Sequence, residues 1–204
     1  MTDQIGEALR IGAWLREAVS ATRGHFVYES GHHGDLWLDL DSLFLDAARM
    51  RSWAGILAWQ AVALNVEVVC GPLTGGAFLA QSIAAEFECD FVHAERSVES
   101  GIVQYRIPTP LTAALAGRRV LVVDDAINAG SAVGLTLAEL RRHGAVPAGI
   151  ACLLTLGEAA GRIAAAQGVT LLALAALERG MWRPEECPLC AAGTPLVPPP
   201  TIAP

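Results

Sequence analysis

The sequence contains no lysine, and all 14 of its basic residues are arginine. This absence excludes a lysine Schiff base as a catalytic intermediate, and it excludes the phosphate-binding loop motif that depends on a lysine. Any positive charge that meets a ligand must therefore come from arginine, from histidine or from a metal ion.

The chain also lacks an excess of basic residues, a long apolar run and a secretion signal. Its 21 acidic residues give a formal net charge of −7, whereas binding to nucleic acids or anionic membranes requires excess positive charge. The longest uncharged windows, 68–85 and 187–204, are interrupted by glycine, proline and polar residues and do not provide the ~20 apolar residues of a membrane span. The N-terminus lacks the basic and apolar segments of a signal peptide, so we expect a cytoplasmic protein that binds small molecules.

Cysteine is present but does not indicate a disulfide framework. The chain has 5 cysteines, an odd number, and Cys70, Cys89 and Cys152 lie in apolar runs, which is typical of reduced, buried thiols. With 204 residues, of which 53% are hydrophobic, the sequence suits one folded domain with an ordinary core.

The apolar pattern predicts strands and helices in alternation. Helical spacing at the N-terminus involves Ile5, Leu9, Trp14, Leu15 and Val19, and residues 25–29 and 36–41 then alternate as two strands of a hairpin that turns at 31–34. Asp46 can cap a helix that ends near Asn65. Buried strands are predicted at 66–70, 91–94, 120–123, 148–155 and 169–174, and helices at 77–87, 132–142 and 158–167.

This alternation predicts an α/β fold with a mostly parallel sheet flanked by helices, and with a small N-terminal hairpin, or hood. Ligands of such folds bind at the carboxyl ends of the strands. We expect one domain over 1–183, including the hood at about 1–45, and a C-terminal tail over 184–204, where proline and cysteine become frequent.

The segment Val120–Ala132, which we call the diaspartate segment, reads VLVVDDAINAGSA. Asp124 and Asp125 follow a buried strand, where their oxygens can accept hydrogen bonds from the vicinal hydroxyls of a sugar. The next residues begin a helix, whose first N–H groups can bind a phosphate, and Gly130 lets the backbone come close. The pattern indicates a ribose 5-phosphate site, although a solvated strand end with a helix cap is the alternative.

A second glycine-containing loop precedes it by one strand–helix unit. Residues 71–76, the glycine loop, connect a strand to a helix and expose N–H groups that a diphosphate can use. Thr74, Gly75 and Gly76 are the candidate contacts. A tight connection without a ligand is the alternative.

The diaspartate segment resembles the signature that binds 5-phosphoribosyl diphosphate (PRPP) in type I phosphoribosyltransferases. Three further segments resemble the orotate phosphoribosyltransferases of that family: 26–41 as the hairpin over the base, 70–80 as the diphosphate loop, and 182–196 as a tail of some bacterial members. The resemblance implies a homodimer that transfers the phosphoribosyl group from PRPP to a nucleobase with Mg²⁺ as cofactor. The PRPP-binding residues that it implies are Thr74, Gly75, Gly76, Asp124, Asp125, Ala126, Asn128, Ala129, Gly130, Ser131 and Ala132.

Residues 95–108 stand where this family has a mobile catalytic loop. The resemblance implies that Arg96 is catalytic together with Asp124 and Asp125, and Arg106 lies on the same segment. An exposed hairpin is the alternative for this segment. For the base we predict contacts with His32 and with Trp37, whose ring can stack on a planar ligand; core packing is the alternative for Trp37.

Several cations of the orotate enzymes have no match. Glu29 and Gly75 stand where members of the family carry lysine, and Leu156 stands near the arginine that holds orotate. Three interpretations stay open. Other residues among Arg96, Arg106, His32 and His33 can replace these cations; the acceptor can be a different, less acidic base; or the chain can be a regulator that binds PRPP without turnover.

Two patterns raise the question of a metal ion. His32 and His33 lie near Asp35, but adjacent strand residues point to opposite faces and do not serve one ion. Cys187 and Cys190 have the spacing of a zinc knuckle, yet structural zinc needs four ligands and a second pair of this spacing is absent. Ligands from a second copy, ligands from a histidine and a remote cysteine, and an exposed redox pair all stay open, and from the sequence we assign no metal ligand.

Overall fold

The computed structural model describes residues 15, 19–28 and 30–198. The strands are β1 (Ser20–Val27), β2 (His33–Asp39), β3 (Val68–Pro72), β4 (Asp90–Glu99), β5 (Ile102–Arg106), β6 (Arg119–Ile127), β7 (Val146–Leu156), β8 (Thr170–Leu177) and β9 (Met181–Trp182). The helices are α1 (Ala47–Ala61), α2 (Gly75–Phe87), α3 (Ser131–Arg142), α4 (Ala159–Gln167) and α5 (Pro188–Ala191), and short 3₁₀ turns connect some of them.

The central sheet has six strands in the order β5-β4-β3-β6-β7-β8. Neighbouring strands are parallel, except that β4 and β5 pair antiparallel. The predicted α/β fold with a mostly parallel, helix-flanked sheet is therefore confirmed. The strand order reverses its direction of growth between β3 and β6, which is where open sheets of this kind bind ligands.

Alternating side chains give the central sheet two apolar faces, as expected of a buried parallel sheet. One core joins these strands to α1 and α2, and its strand residues include Val69, Leu121, Val123 and Leu153. The other core joins the same strands to α3 and α4, and it includes Val68, Cys70, Val122 and Ile150. Burial on both faces fixes β3 and β6, and thereby the loops that follow them.

Local signals set the ends of the main helices as predicted. The Asp46 carboxylate accepts hydrogen bonds from the N–H groups of Ala48 (3.1 Å) and Arg49 (3.0 Å), capping α1. The 3₁₀ turn that continues α1, Val62–Leu64, ends at Asn65, which has a left-handed φ of 48°. Helix α3 ends before Gly144, whose φ is 75° and whose N–H bonds to the carbonyl of Arg141.

A smaller antiparallel sheet has the order β1-β2-β9. The N-terminal hairpin, β1 with β2, turns between Tyr28 and His32 and not at the predicted 31–34. The N–H of Tyr28 donates to the carbonyl of His32, and the N–H of Gly31, whose φ is 76°, donates to the carbonyl of Tyr28. Strand β1 begins at Ser20, directly after Val19, the last residue of the helical pattern at the N-terminus. Of the other predicted helix residues, Ile5, Leu9 and Trp14 lie outside the described residues, whereas Leu15 and Val19 are buried.

The segment 95–108 forms an antiparallel hairpin in which Arg96 pairs with Tyr105. Its two-residue turn, Ser100 and Gly101, has φ values of 53° and 78°, as two-residue hairpin turns require. Among the described residues, no helix is long and apolar enough to cross a membrane. The proposed boundary between a domain and a tail at residue 183 stays a prediction.

Candidate active site

The glycine loop and the diaspartate segment meet at the switch point between β3 and β6. A Cβ on Gly76 would lie 2.7 Å from Asp124 Oδ1, and a Cβ on Gly75 would overlap the carboxylate of Asp125. Only glycine permits this approach at both positions. Thr74, the third predicted residue of the loop, is exposed and directly precedes α2. The structure thus brings the two predicted phosphate loops together.

The two aspartates are half-buried at the carboxyl end of β6. Asp124 Oδ1 accepts a hydrogen bond from the N–H of Asp125 (3.1 Å), and Asp125 Oδ1 accepts one from Ala126 (2.7 Å). Burial raises the pKa of Asp124 well above its usual value, and the charge of Asp125 raises it further. Burial likewise raises the pKa of Asp125. A cation or hydroxyl donors placed here would stabilise the ionised pair.

The start of α3 provides unpaired backbone donors. Gly130 precedes the helix with a left-handed φ of 77° and has no side chain with which to cap it, so the first N–H groups stay available to an anion. Among the described residues, the buried side-chain oxygen of Asn128 has no hydrogen-bond partner. An unpartnered buried polar atom beside free N–H groups is typical of a site that a polar ligand completes.

A cavity of about 500 Å³ lies over these groups. Predicted residues that line it are Asp124, Ala126, Asn128, Ala129, Gly130, Ser131, Ala132, Arg96 and Trp37. The N-terminal hairpin forms one wall of the cavity through Tyr28 and Trp37, whose rings stack with centroids 6.4 Å apart. This volume is in the usual range of small-molecule sites, about 300–1,000 Å³.

The two arginines of the β4–β5 hairpin have different environments. Arg96 lines the cavity, is exposed, and has no ion pair among the described residues. Arg106 instead donates a hydrogen bond of 2.9 Å to the carboxylate of Glu139 on α3. Burial acts to raise the pKa of Glu139, but hydrogen bonds from Arg106 and His143 outweigh it and lower that pKa. Arg106 therefore fastens the hairpin to α3, and Arg96 is the arginine of this hairpin that faces the cavity.

His32 does not reach the site to which it was assigned. It belongs to the turn of the N-terminal hairpin and lines neither this cavity nor the adjoining one. The turn occurs earlier in the chain than predicted, which leaves the aromatic residues Tyr28 and Trp37 on the cavity wall. Glu29, at the position of a family lysine, lies outside the described residues.

An arginine that the sequence analysis missed lines an adjoining cavity of about 170 Å³. The guanidinium of Arg179 lies 4.9 Å from the ring centroid of Tyr28, and the adjoining cavity shares Tyr28, Trp37 and Asn128 with the larger one. Nε and Nη1 of Arg179 are buried and have no hydrogen-bond partner among the described residues. Guanidinium donors that are buried without a partner favour an anionic ligand.

The position of Arg179 follows from the sheet register. Leu156, at the end of β7, pairs with Leu177 at the end of β8. Arg179, two residues after Leu177, is therefore close to Leu156, the position near which the family carries an arginine. Leu156 and Arg179 line the same cavity. The available signal in the sequence was an arginine five positions after the last predicted strand, 169–174.

Comparisons with known proteins agree with this arrangement. The family model named phosphoribosyl transferase domain matches residues 47–170. The orotate phosphoribosyltransferase of Caldanaerobacter subterraneus subsp. tengcongensis is 30% identical over 177 residues, which cover 87% of this chain and 88% of that protein. That of Caldicellulosiruptor bescii is 29% identical over 185 residues, covering 91% and 93%.

Solved structures show the same fold. The orotate phosphoribosyltransferase of Aeropyrum pernix matches with a TM-score of 0.64 and 24% identity, over 82% of this chain and 93% of that one. An adenine phosphoribosyltransferase from Thermoanaerobacter pseudethanolicus matches with a TM-score of 0.66 and 16% identity, over 81% and 99%. Together with two phosphate loops that meet at the switch point, these matches lead to one conclusion: the chain belongs to the type I phosphoribosyltransferase family, and its curated relatives place it with the orotate phosphoribosyltransferases.

Proposed function

We propose that this enzyme transfers the 5-phosphoribosyl group of PRPP to orotate and releases diphosphate. The observation that carries the choice of acceptor is Arg179, a half-buried arginine in the adjoining cavity, which is the candidate base pocket. Its buried Nε and Nη1 have no hydrogen-bond partner among the described residues, and its guanidinium lies beside the ring of Tyr28. Orotate is a planar pyrimidine with a carboxylate, and a guanidinium binds a carboxylate through two parallel hydrogen bonds.

PRPP would bind across the junction of the two loops. Its 5-phosphate would accept hydrogen bonds from the N–H groups of residues 129–132 and from the side chain of Ser131. Its ribose hydroxyls would donate to Asp124 and Asp125. Its diphosphate would lie on the glycine loop, at residues 74–76. The support for this placement is the direct contact between Gly75, Gly76 and the aspartates.

The donor set also suits Mg²⁺, which binds protein carboxylates together with substrate phosphates. Asp124 and Asp125 are adjacent oxygen donors whose pKa values burial raises, so a cation beside them would relieve the cost of ionising both. When bound, Mg²⁺ neutralises charge on the diphosphate. Asp124 and Asp125 are the residues that would hold the metal and the sugar in place.

The reaction passes through a sugar cation that resembles an oxocarbenium ion. Asp124 and Asp125 would stabilise the positive charge on the ribose, and Arg96 would bind the departing diphosphate. Each charge-assisted hydrogen bond of this kind contributes ~1.5–3 kcal/mol. Tyr28 and Trp37 would keep water from the ribose carbon, since both line the same cavity.

The missing lysines favour a second candidate function, a PRPP-binding regulator without turnover. Arg179 weakens this alternative, because it supplies a cation close to Leu156, where the family's arginine is absent. We also propose that the protein is a homodimer, as the resemblance implies, and that it is cytoplasmic.

The test is a diphosphate-release assay on the purified full chain with PRPP, Mg²⁺ and one base at a time. We expect turnover with orotate and little or none with uracil or adenine, and we expect the double variant Asp124→Asn, Asp125→Asn to lose that turnover. Tight binding of PRPP without release of diphosphate for any base would establish the regulator instead. Turnover with adenine alone would overturn the assignment of orotate.

A further inference from the structure

Four metal-binding side chains meet where the C-terminal tail contacts the N-terminal hairpin, and none of them lines either cavity. They are His25 on β1, His33 on β2, and Cys187 and Cys190 in the C-terminal tail, and their ligand atoms all lie within 4.8 Å of one another. We call them the histidine–cysteine cluster. We propose that the cluster binds a structural Zn²⁺ ion that fastens the C-terminal tail to the hairpin.

Four of the six distances between ligand atoms of the cluster are close to those of tetrahedral coordination, and the other two are within 4.8 Å. Zn²⁺ with bonds of about 2.0 Å to nitrogen and 2.3 Å to sulfur places two nitrogens about 3.3 Å apart and a nitrogen about 3.5 Å from a sulfur. In the structure, His25 Nε2 and His33 Nδ1 are 3.0 Å apart. The distances from nitrogen to sulfur are 3.4 Å for His25 and Cys187, 3.7 Å for His25 and Cys190, and 3.2 Å for His33 and Cys190.

An outer hydrogen bond orients His25 as a ligand. Its Nδ1 lies 2.8 Å from the carbonyl oxygen of Thr194, and because a carbonyl only accepts, Nδ1 carries the proton. The lone pair of Nε2 therefore points into the cluster. Metal-bound histidines regularly donate their second N–H to a carbonyl or carboxylate in this way.

The tail presents its two sulfurs from a single tight turn. Cys187 directly precedes the short helix α5, and its carbonyl accepts a hydrogen bond from Ala191 N (3.1 Å). Gly193, with φ 69°, donates to the carbonyl of Cys190 (2.9 Å). Two thiolates and two imidazoles in this geometry select Zn²⁺ over the hard cations, which prefer oxygen.

Burial distinguishes the cluster from a chance surface grouping. His25, His33 and Cys187 are buried, with exposed fractions of 1%, 8% and 3%, while Cys190 is exposed and leaves a path by which an ion can enter. Buried histidines and thiols need partners, and a metal ion satisfies all of them together. His32, the neighbour of His33, belongs to the turn and is not part of the cluster.

The proposed site would brace the wall of the base pocket. Two cluster residues also make backbone contacts with the C-terminal part of the chain. His33 pairs with Trp182 of β9 in the small sheet, and the N–H of Val197 donates to the carbonyl of His25 at 2.8 Å. The same hairpin carries Tyr28 and Trp37 into the cavity. The ion would thus hold the tail, β9 and the hairpin as one unit without touching PRPP.

The experiment measures zinc in the full chain, produced in zinc-supplemented medium and purified with a tag that contains no histidine. Inductively coupled plasma mass spectrometry should find one zinc ion per chain. Cys187→Ser and Cys190→Ser should each lose that zinc, and Cys89→Ser, which changes a thiol outside the cluster, should retain it. Circular dichroism reports whether each variant is folded.

Cobalt titration of the reduced, metal-free wild-type chain tests the geometry independently of any variant. We expect the visible absorption of tetrahedral Co²⁺ and the charge-transfer band of a cobalt–thiolate bond at one equivalent, and displacement of both by Zn²⁺. In folded cysteine variants, the affinity for Co²⁺ should fall by more than the roughly 10–100-fold that loss of an outer partner costs. Chelation should lower the Tm of the wild type and leave the Tm of Cys187→Ser unchanged.

Three results would overturn the proposal. The first is wild-type protein that contains no zinc and gives no tetrahedral cobalt spectrum. The second is retention of zinc by both Cys187→Ser and Cys190→Ser. The third is a disulfide between these cysteines in protein purified under reducing conditions. If neither variant folds, the cobalt spectrum of the wild type decides alone.

Discussion

Replacing Arg179 with leucine removes the guanidinium from the candidate base pocket while keeping an apolar side chain against the ring of Tyr28. Nε and Nη1 of Arg179 have no hydrogen-bond partner among the described residues. In the unliganded protein the substitution therefore removes the cation–π contact with Tyr28 and the weak contact of Nη2 with the sulfur of Met181. With orotate bound, at least one charge-assisted hydrogen bond would be lost, which costs ~1.5–3 kcal/mol. Since ~1.4 kcal/mol is a factor of ten, kcat/KM for orotate should fall roughly 10- to 150-fold.

The assay compares kcat/KM for orotate with the Kd for PRPP, measured by calorimetry, in the wild type, Arg179→Leu, Arg179→Lys and the control Arg183→Leu, which alters an exposed arginine beyond the pocket. Arg179→Lys should lie between the wild type and Arg179→Leu, because lysine keeps the charge but not the planar fork. The Tm of unliganded Arg179→Leu should stay close to that of the wild type, because loss of the cation–π contact with Tyr28 offsets the removal of two buried donors without partners. An equal loss in PRPP affinity, or unchanged kinetics with orotate, would refute the role of Arg179.

Three further predictions concern the phosphate loops and their support. Gly75→Ala should weaken PRPP binding on the order of 100-fold, because a Cβ displaces the Asp125 carboxylate; Gly161→Ala, where an added Cβ meets nothing within 4 Å, is the calorimetric control. Asp124→Asn should raise the Tm of the unliganded protein at neutral pH yet abolish PRPP binding. Burial and the charge of Asp125 raise the pKa of Asp124, so the gain in Tm should shrink as the pH falls towards the usual aspartate range. A Tm difference that does not change with pH would contradict this cost of ionising Asp124. Glu139→Gln should lower the Tm at neutral pH, and since the pKa of Glu139 is lowered, that difference should disappear as the pH falls through it.

Local patterns were sufficient for much of the fold and for the phosphate loops. Asp46 caps α1 as predicted because a cap depends on two or three neighbouring residues. Strand β6 contains the predicted apolar run 120–123 but continues through Asp124 and Asp125 to Ile127. The predicted residues of the diaspartate segment other than Asp125 line the cavity. Roles for those residues in binding PRPP stay a prediction.

Features that depend on distant pairing could not be predicted in this way. Arg179 reaches the base pocket through the register of β7 with β8, which no periodicity encodes. The two-residue strand β9 is too short to produce an apolar pattern. Cys187 and His25, 162 positions apart, meet only because the tail folds back on the hairpin.

The N-terminal hairpin shows how one misplaced turn changes the assignment of a site. With the turn at 31–34, His33 would have been a loop residue; the observed turn places it in β2, opposite Val27. His33 thereby joins the histidine–cysteine cluster, while His32 stays in the turn and away from the cavity. The Ser-Gly pair at Ser100, by contrast, is a recognisable signal for the hairpin formed by residues 95–106.

A crystal structure of the protein with PRPP and Mg²⁺ tests most directly where the donor binds. The 5-phosphate should lie within hydrogen-bond distance of the N–H groups of Ala129, Gly130 and Ser131, with the ribose hydroxyls on Asp124 and Asp125 and the diphosphate on the glycine loop. Density for PRPP outside the junction of these loops, or a 5-phosphate that does not touch the start of α3, would contradict the account.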